Sequence, residues 1–171
     1  KWPLAISVVV IIASLLLSRG SYEEKITPET TPSEVVAVFY QGFARLDTMQ
    51  LEEPLMKGVG KDFINMVSFM HVTSKMRQAY EFINTPFLVL EDLKITAEPA
   101  STEKPVFQAT YRLKMLEGQT YQIQERRDRL VLTRWRKEWR IEELESTVLA
   151  ESTEPVLGEV GPESRHAPAD Q

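Results

Sequence analysis

Phe107-Gln108-Ala109-Thr110-Tyr111-Arg112-Leu113-Lys114-Met115 alternates apolar and polar side chains without a break. A period of two is the signature of a strand with one face on a core and the other in solvent. The apolar set is Phe107, Ala109, Tyr111, Leu113 and Met115. The polar set is Gln108, Thr110, Arg112 and Lys114. A strand of this kind needs antiparallel neighbours and something apolar to cover one face.

The neighbours lie on both sides in sequence. Leu93, Ile95 and Ala97 repeat the alternation upstream, and Glu117-Gly118 predicts a tight turn downstream. Further strands are expected at 119–127, with Tyr121 and Ile123 inward, and at 129–135. The latter leads through Arg136-Lys137-Glu138 to Trp139-Arg140-Ile141. A hairpin there would set Trp135 opposite Trp139. It would place Arg134 and Arg140 on the other face, with Arg112, Lys114, Gln122, Gln124 and Arg126.

The cover comes from helices upstream. Thr31-Pro32-Ser33-Glu34 is a capping box with proline at the first helical position. Val35, Val36, Phe39, Tyr40, Phe43 and Leu46 follow at three- and four-residue spacing. Asp47 caps a second, short helix that Pro54 and Gly58 limit. A longer helix is expected from about Lys61 to Phe82, with the stripe Phe63, Met66, Val67, Met70, Met76, Tyr80 and Ile83. Asn84-Thr85-Pro86 ends it. Helices first and antiparallel strands after is an α+β order.

Trp2 to Ser18, WPLAISVVVIIASLLLS, carries no charge and lies between Lys1 and Arg19. Its length suffices for a thin hydrocarbon core. The expectation is a transmembrane anchor over 1–20, against the competing reading of a cleaved leader. Residues 21–31 then read as a linker and 32–147 as the α+β domain. Residues 148–171 read as a disordered acidic tail. That layout predicts a single-pass protein of the inner (plasma) membrane with its C-terminal domain extracytoplasmic.

The chain has 171 residues, a net charge of −5 and no cysteine. The lack of cysteine excludes disulfides, thiolate metal sites and a cysteine nucleophile. Most of the negative excess lies after residue 147, so the domain is nearly neutral and gives no case for nucleic acid. No phosphate loop, nucleophile elbow or metal-spaced histidine pair occurs, because Gly58-Val59-Gly60 is too short and His71 and His166 are far apart. No cofactor, metal or catalytic set is expected.

The capped helix ending near Asp47, the second long helix, and the final Trp139-Arg140-Ile141-Glu142-Glu143-Leu144 resemble the nuclear transport factor 2 superfamily, also called the SnoaL-like or cystatin-like cone. The likeness covers residues 32–147. It implies a cone of about three helices on a curved, mainly antiparallel sheet, with a pocket at the wide end. Enzymes of that superfamily place an acid, a histidine or a tyrosine inside the cone. Single-span members serve in envelope assemblies.

The leading expectation is a non-catalytic scaffold or assembly subunit of an envelope complex, partnered by other membrane or envelope proteins and able to self-associate. Arg112, Lys114, Arg126, Arg134, Arg136 and Arg140 are its candidate docking face. The alternatives are a binder of a small apolar ligand or lipid and a SnoaL-like enzyme. The candidate pocket for these is Tyr40, Phe43, Asp47, Met70 and Tyr111. Phe39 and Met66 would join the lining, and Asp47 would be the base in the enzyme.

Overall fold

The computed structural model describes residues 11–12, 25–80, 86–99 and 104–156. Three helices come first: α1 (Pro32–Arg45), α2 (Thr48–Glu52) and α3 (Lys61–Tyr80). One antiparallel sheet holds β1 (Ile11–Ile12), β2 (Leu88–Ala97), β3 (Val106–Glu117), β4 (Thr120–Trp135) and β5 (Glu138–Pro155), in sequence order.

α1 begins as its sequence dictates. Glu34 N–H donates to Thr31 Oγ1 at 3.4 Å, and Thr31 N–H donates to Glu34 Oε2 at 2.6 Å. The helix ends at Leu46, whose φ of 54° turns the chain out. Asp47 caps α2 directly, its Oδ1 accepting from Met49 N and Gln50 N at 3.1 Å each. The turn is tight because Gly42 lets α2 approach: a methyl there would stand 2.6 Å from Leu51 N. α1 buries Val35, Val36, Phe39, Tyr40 and Phe43, and α3 buries Phe63, Val67 and Met70. They share a core with Leu93 and Ile95 of β2, Phe107, Ala109, Tyr111 and Leu113 of β3, Leu130 and Leu132 of β4, and Ile141 of β5.

The expected fold class is corrected at its first element. Ile11 and Ile12 form a strand, paired antiparallel with Ile95 and Lys94. Among the described residues no helix is long and apolar enough to cross a membrane. The anchor, the single-pass layout and the inner-membrane placement fall with it. Sheet also outweighs helix. The physical reason is the β-branching of Ile11 and Ile12. Hydrophobicity alone suits such residues to lipid or to a sheet, and β-branching favours the sheet. The rest of the expected anchor and the start of the linker, 1–10 and 13–24, lie outside the described residues.

The linker and the tail also carry structure where none is expected. Ile26 is buried in the core, and its N–H donates to Glu53 Oε1 at 3.1 Å. β5 continues to Pro155 because β4 is long: Thr120 to Arg126 need partners, and 148–155 supply them. Residues 157–171, with His166, lie outside the described residues, as do 81–85, where the end of the long helix is expected.

The last hairpin has a register one residue off the expectation. Its turn is only Arg136-Lys137, both with positive φ (50° and 76°), as a two-residue type I′ turn requires. Trp135 therefore pairs with Glu138, and Trp139 pairs with Arg134. A shift of one residue moves a side chain to the opposite face. The two tryptophans do not meet. Arg134 joins Trp139 on one face while Arg140, paired with Thr133, takes the other.

Candidate functional site

β4 carries a charge onto its buried face. Across the sheet, Phe107, Ala109 and Tyr111 of β3 pair with Leu130, Asp128 and Arg126. Side chains directly opposite share a face, so Arg126 and Asp128 point to the same side as the β3 core residues. Asp128 is fully buried, and a buried carboxylate must be hydrogen-bonded. Tyr40 of α1 donates its hydroxyl to Oδ2 at 2.7 Å, and Ser146 of β5 donates to Oδ1 at 2.5 Å. The Arg126 guanidinium donates to Ser146 Oγ at 2.9 Å and to Gln124 Oε1 at 3.0 Å. Arg126, Ser146, Asp128 and Tyr40 thus form one chain of donors and acceptors joining β4, β5 and α1.

Burial raises the Asp128 pKa above the usual carboxylate value, although the bonds from Ser146 and Tyr40 and the Arg126 charge oppose it. Burial also pushes the Tyr40 hydroxyl well up, and the Asp128 charge adds to this. Tyr111 is raised for the same two reasons, burial first. The Tyr111 hydroxyl and Arg126 Nε are buried without a hydrogen-bond partner. Asp128 exposes no surface, and both of its oxygens are engaged. As it stands, the cluster clamps elements together and offers no base to a substrate.

Sequence reasoning passes over Asp128 because it lies within Arg126-Arg127-Asp128-Arg129, which reads as a solvated charge run. The available signal is its two-residue spacing from Leu130 and Leu132, which puts an acid on an apolar face.

The candidate pocket residues divide. Tyr40, Phe43, Met70 and Tyr111 come together in the core. The Tyr111 ring meets Tyr40 and Phe43 at 5.7 and 5.9 Å between centroids, edge to face. Phe39 meets Tyr40 in the same manner at 5.1 Å. Asp47 is not with them. It is exposed and occupied as the α2 cap. A groove of about 630 Å³ opens where the start of α3 meets β4 and β5, lined by Phe63, Met66, Leu144, Arg126, Ser146 and Asp62 among others.

The candidate docking cations do not form one face. Arg112 reaches Glu91 and Asp92 at 3.7 and 3.8 Å, and Lys114 reaches Glu91 and Glu154 at 3.2 Å each. Arg126 lies on the opposite, core-facing side. Arg134 covers the Trp139 ring at 5.3 Å, and Arg136 covers Trp135 at 5.6 Å. Arg140 donates to Glu138 and to the Glu53 carbonyl. Alternation fails here because two tight turns set the register: Glu117 pairs with Thr120, which puts Arg126 opposite Tyr111, and Trp135 pairs with Glu138, which parts Arg134 from Arg140.

A different surface stands out on α3. Phe69, Val72, Met76 and Tyr80 are 70, 55, 56 and 78% exposed. The apolar periodicity predicts Met76 and Tyr80 in the core, but the helix turns them out. Spacings of three and four residues put all four on one side of a helix, away from Phe63, Val67 and Met70. α3 thus has two apolar faces, and among the described residues only one is packed. Arg77 does not interrupt the outer one. It turns toward the sheet, donating to the Leu116 carbonyl at 2.8 Å and covering the Phe87 ring at 5.6 Å.

Among the described residues no group of His, Asp or Glu is arranged to hold a metal. Neither protein-family models nor curated proteins give a match to this chain.

Proposed function

We propose that this chain is a non-catalytic interaction module whose docking surface is the outer face of α3. The carrying observation is the row Phe69, Val72, Met76 and Tyr80, exposed on a domain whose other large side chains are mostly packed. A contiguous apolar row on a folded domain marks a contact site. The docking surface thereby moves from the charged sheet face to the helix. The sealed Asp128 and the capping role of Asp47 argue against the enzyme alternative.

A photo-activatable phenylalanine analogue at Val72, introduced in the native cell, tests the docking surface. We expect a discrete covalent adduct from position 72 and none from Arg127, which is exposed on β4. Equal labelling from both positions, or none from either, would refute it.

The ligand alternative keeps one specific support. The groove combines apolar Phe63, Met66 and Leu144 with Arg126, whose Nε is buried and unpartnered. That chemistry suits an anionic amphiphile. Titration with a medium-chain fatty acid, followed by calorimetry, should give saturable binding that Leu144→Asp abolishes. Absence of heat would remove this reading.

A further inference from the structure

The outer face of α3 also indicates which partner fits it. We propose that α3 pairs antiparallel with α3 of a second copy of the chain about a twofold axis beside residues 74 and 75. This rests on reading α3 as the docking face.

The first argument is self-complementarity. In a twofold contact, if residue i meets j then j meets i. The face reads aromatic, aliphatic, aliphatic, aromatic: Phe69, Val72, Met76, Tyr80. Reversing one copy against the other sets Phe69 against Tyr80 and Val72 against Met76. Aromatic rings then meet aromatic rings near the ends, and the flexible Met76 fills the centre beside Val72. Phe69 and Tyr80 are about 16 Å apart along the axis at 1.5 Å per residue. The contact therefore spans three turns on each helix.

The second argument is charge. At about 100° per residue the exposed face holds Asp62, Asn65, Phe69, Val72, Thr73, Met76 and Tyr80, and Asp62 lies beyond the Phe69–Tyr80 span that the pairing covers. Lys75 falls to one side, and Arg77 is turned to the sheet. Between Phe69 and Tyr80 this face carries no charge, although the whole chain carries −5, and the two Lys75 residues flank the axis on one side. A partner chosen for charge complementarity would find little to recognise here.

The third argument is area. At ~200 Å² for a full aromatic side chain, the four exposed residues offer roughly 450 Å² per copy. A stable interface buries ~800 Å² on each partner. The four residues alone place the contact at the small, transient end of interface sizes, so the expected dimer is weak.

The chain has no cysteine, so an introduced thiol has no competitor. Phe69→Cys and Tyr80→Cys chains are prepared separately and oxidised alone and as a mixture. An antiparallel pair links the thiol at position 69 only to the thiol at position 80. We expect the mixture to form covalent dimer at least several-fold faster than either chain alone. Arg127→Cys, on the sheet, serves as the background rate. Efficient linking of the Phe69→Cys chain to itself would show a parallel or different contact and overturn the proposal. Linking no faster than background in every sample would overturn it too. The photo-adduct at Val72 separates the two levels. An adduct of twice the chain mass agrees with a second copy. An adduct to a different protein, with no preferential linking in the thiol mixture, leaves the docking face standing and removes the second copy.

Discussion

At Asp128, burial and hydrogen bonding pull the carboxyl in opposite directions, and burial is the larger effect. The folded chain therefore holds this proton at pH values where the unfolded chain, near 3.8, has lost it. The native state then binds more protons, so this residue's contribution to stability falls as pH rises from about 4 toward its raised folded value. Asp128→Asn removes the ionisation and keeps the shape. Its stability relative to wild type should climb as pH rises from about 4, measured by urea denaturation at several pH values. A constant difference, or a decline, would show that the carboxylate is not stressed by burial. Tyr40→Phe deletes a bond to this same group, and it should cost about 2 kcal/mol near neutral pH, the scale for a hydrogen bond to a charged partner. That Tyr40, Phe43, Met70 and Tyr111 meet in the core is legible in their spacing. Their acidic neighbour is not, because Asp47 and Asp128 both suit a tyrosine and only strand register separates them.

At the scale of elements, local chemistry is legible wherever one residue decides the geometry. Thr31, Pro32 and Glu34 determine the start of α1, and Asp47 that of α2. Gly42 opposes a simple propensity argument. Alanine in a helix gains about 1 kcal/mol over glycine, yet a methyl here would meet the Leu51 backbone at 2.6 Å. Overpacking costs ~1–3 kcal/mol, so Gly42→Ala should be net destabilising, and a fall in thermal midpoint checks it. The Arg136-Lys137 turn is illegible because neither residue signals a type I′ turn. Each holds a positive φ at a cost of ~1–2 kcal/mol relative to a permissive residue. Replacing the pair with Asn-Gly should raise stability by about 1 kcal/mol or more without shifting the Trp139–Arg134 register. A loss of stability would mean that Arg136 contributes more by covering Trp135 than the turn costs. α3 is misread for a different reason. Phe63, Met70, Met76 and Tyr80 are all apolar, and sequence cannot say which side of a helix with two apolar faces meets the sheet.

For the molecule as a whole, the same ambiguity explains the failed membrane expectation. An uninterrupted apolar run shows that water is excluded but not by what, and at Ile11–Ile12 the neighbour is β2. The sheet, three helices and most core positions follow from periods of two and about 3.6. What escapes is everything set by register, including the scattering of the six docking cations. An interface built on the outer face of α3 is apolar, so screening should not dissolve it. Raising salt to about 1 M, where the Debye length is about 3 Å, should leave association unchanged or slightly stronger. Weakening by salt would show a contact held by charges and contradict an apolar one. The most direct test is sedimentation of the full chain across the micromolar range, beside Val72→Lys. The mass of the wild-type chain should rise with concentration toward twice the monomer, while Val72→Lys stays monomeric with its unfolding midpoint unchanged. A wild-type chain that stays monomeric, or a Val72→Lys chain that assembles equally well, would contradict pairing through α3.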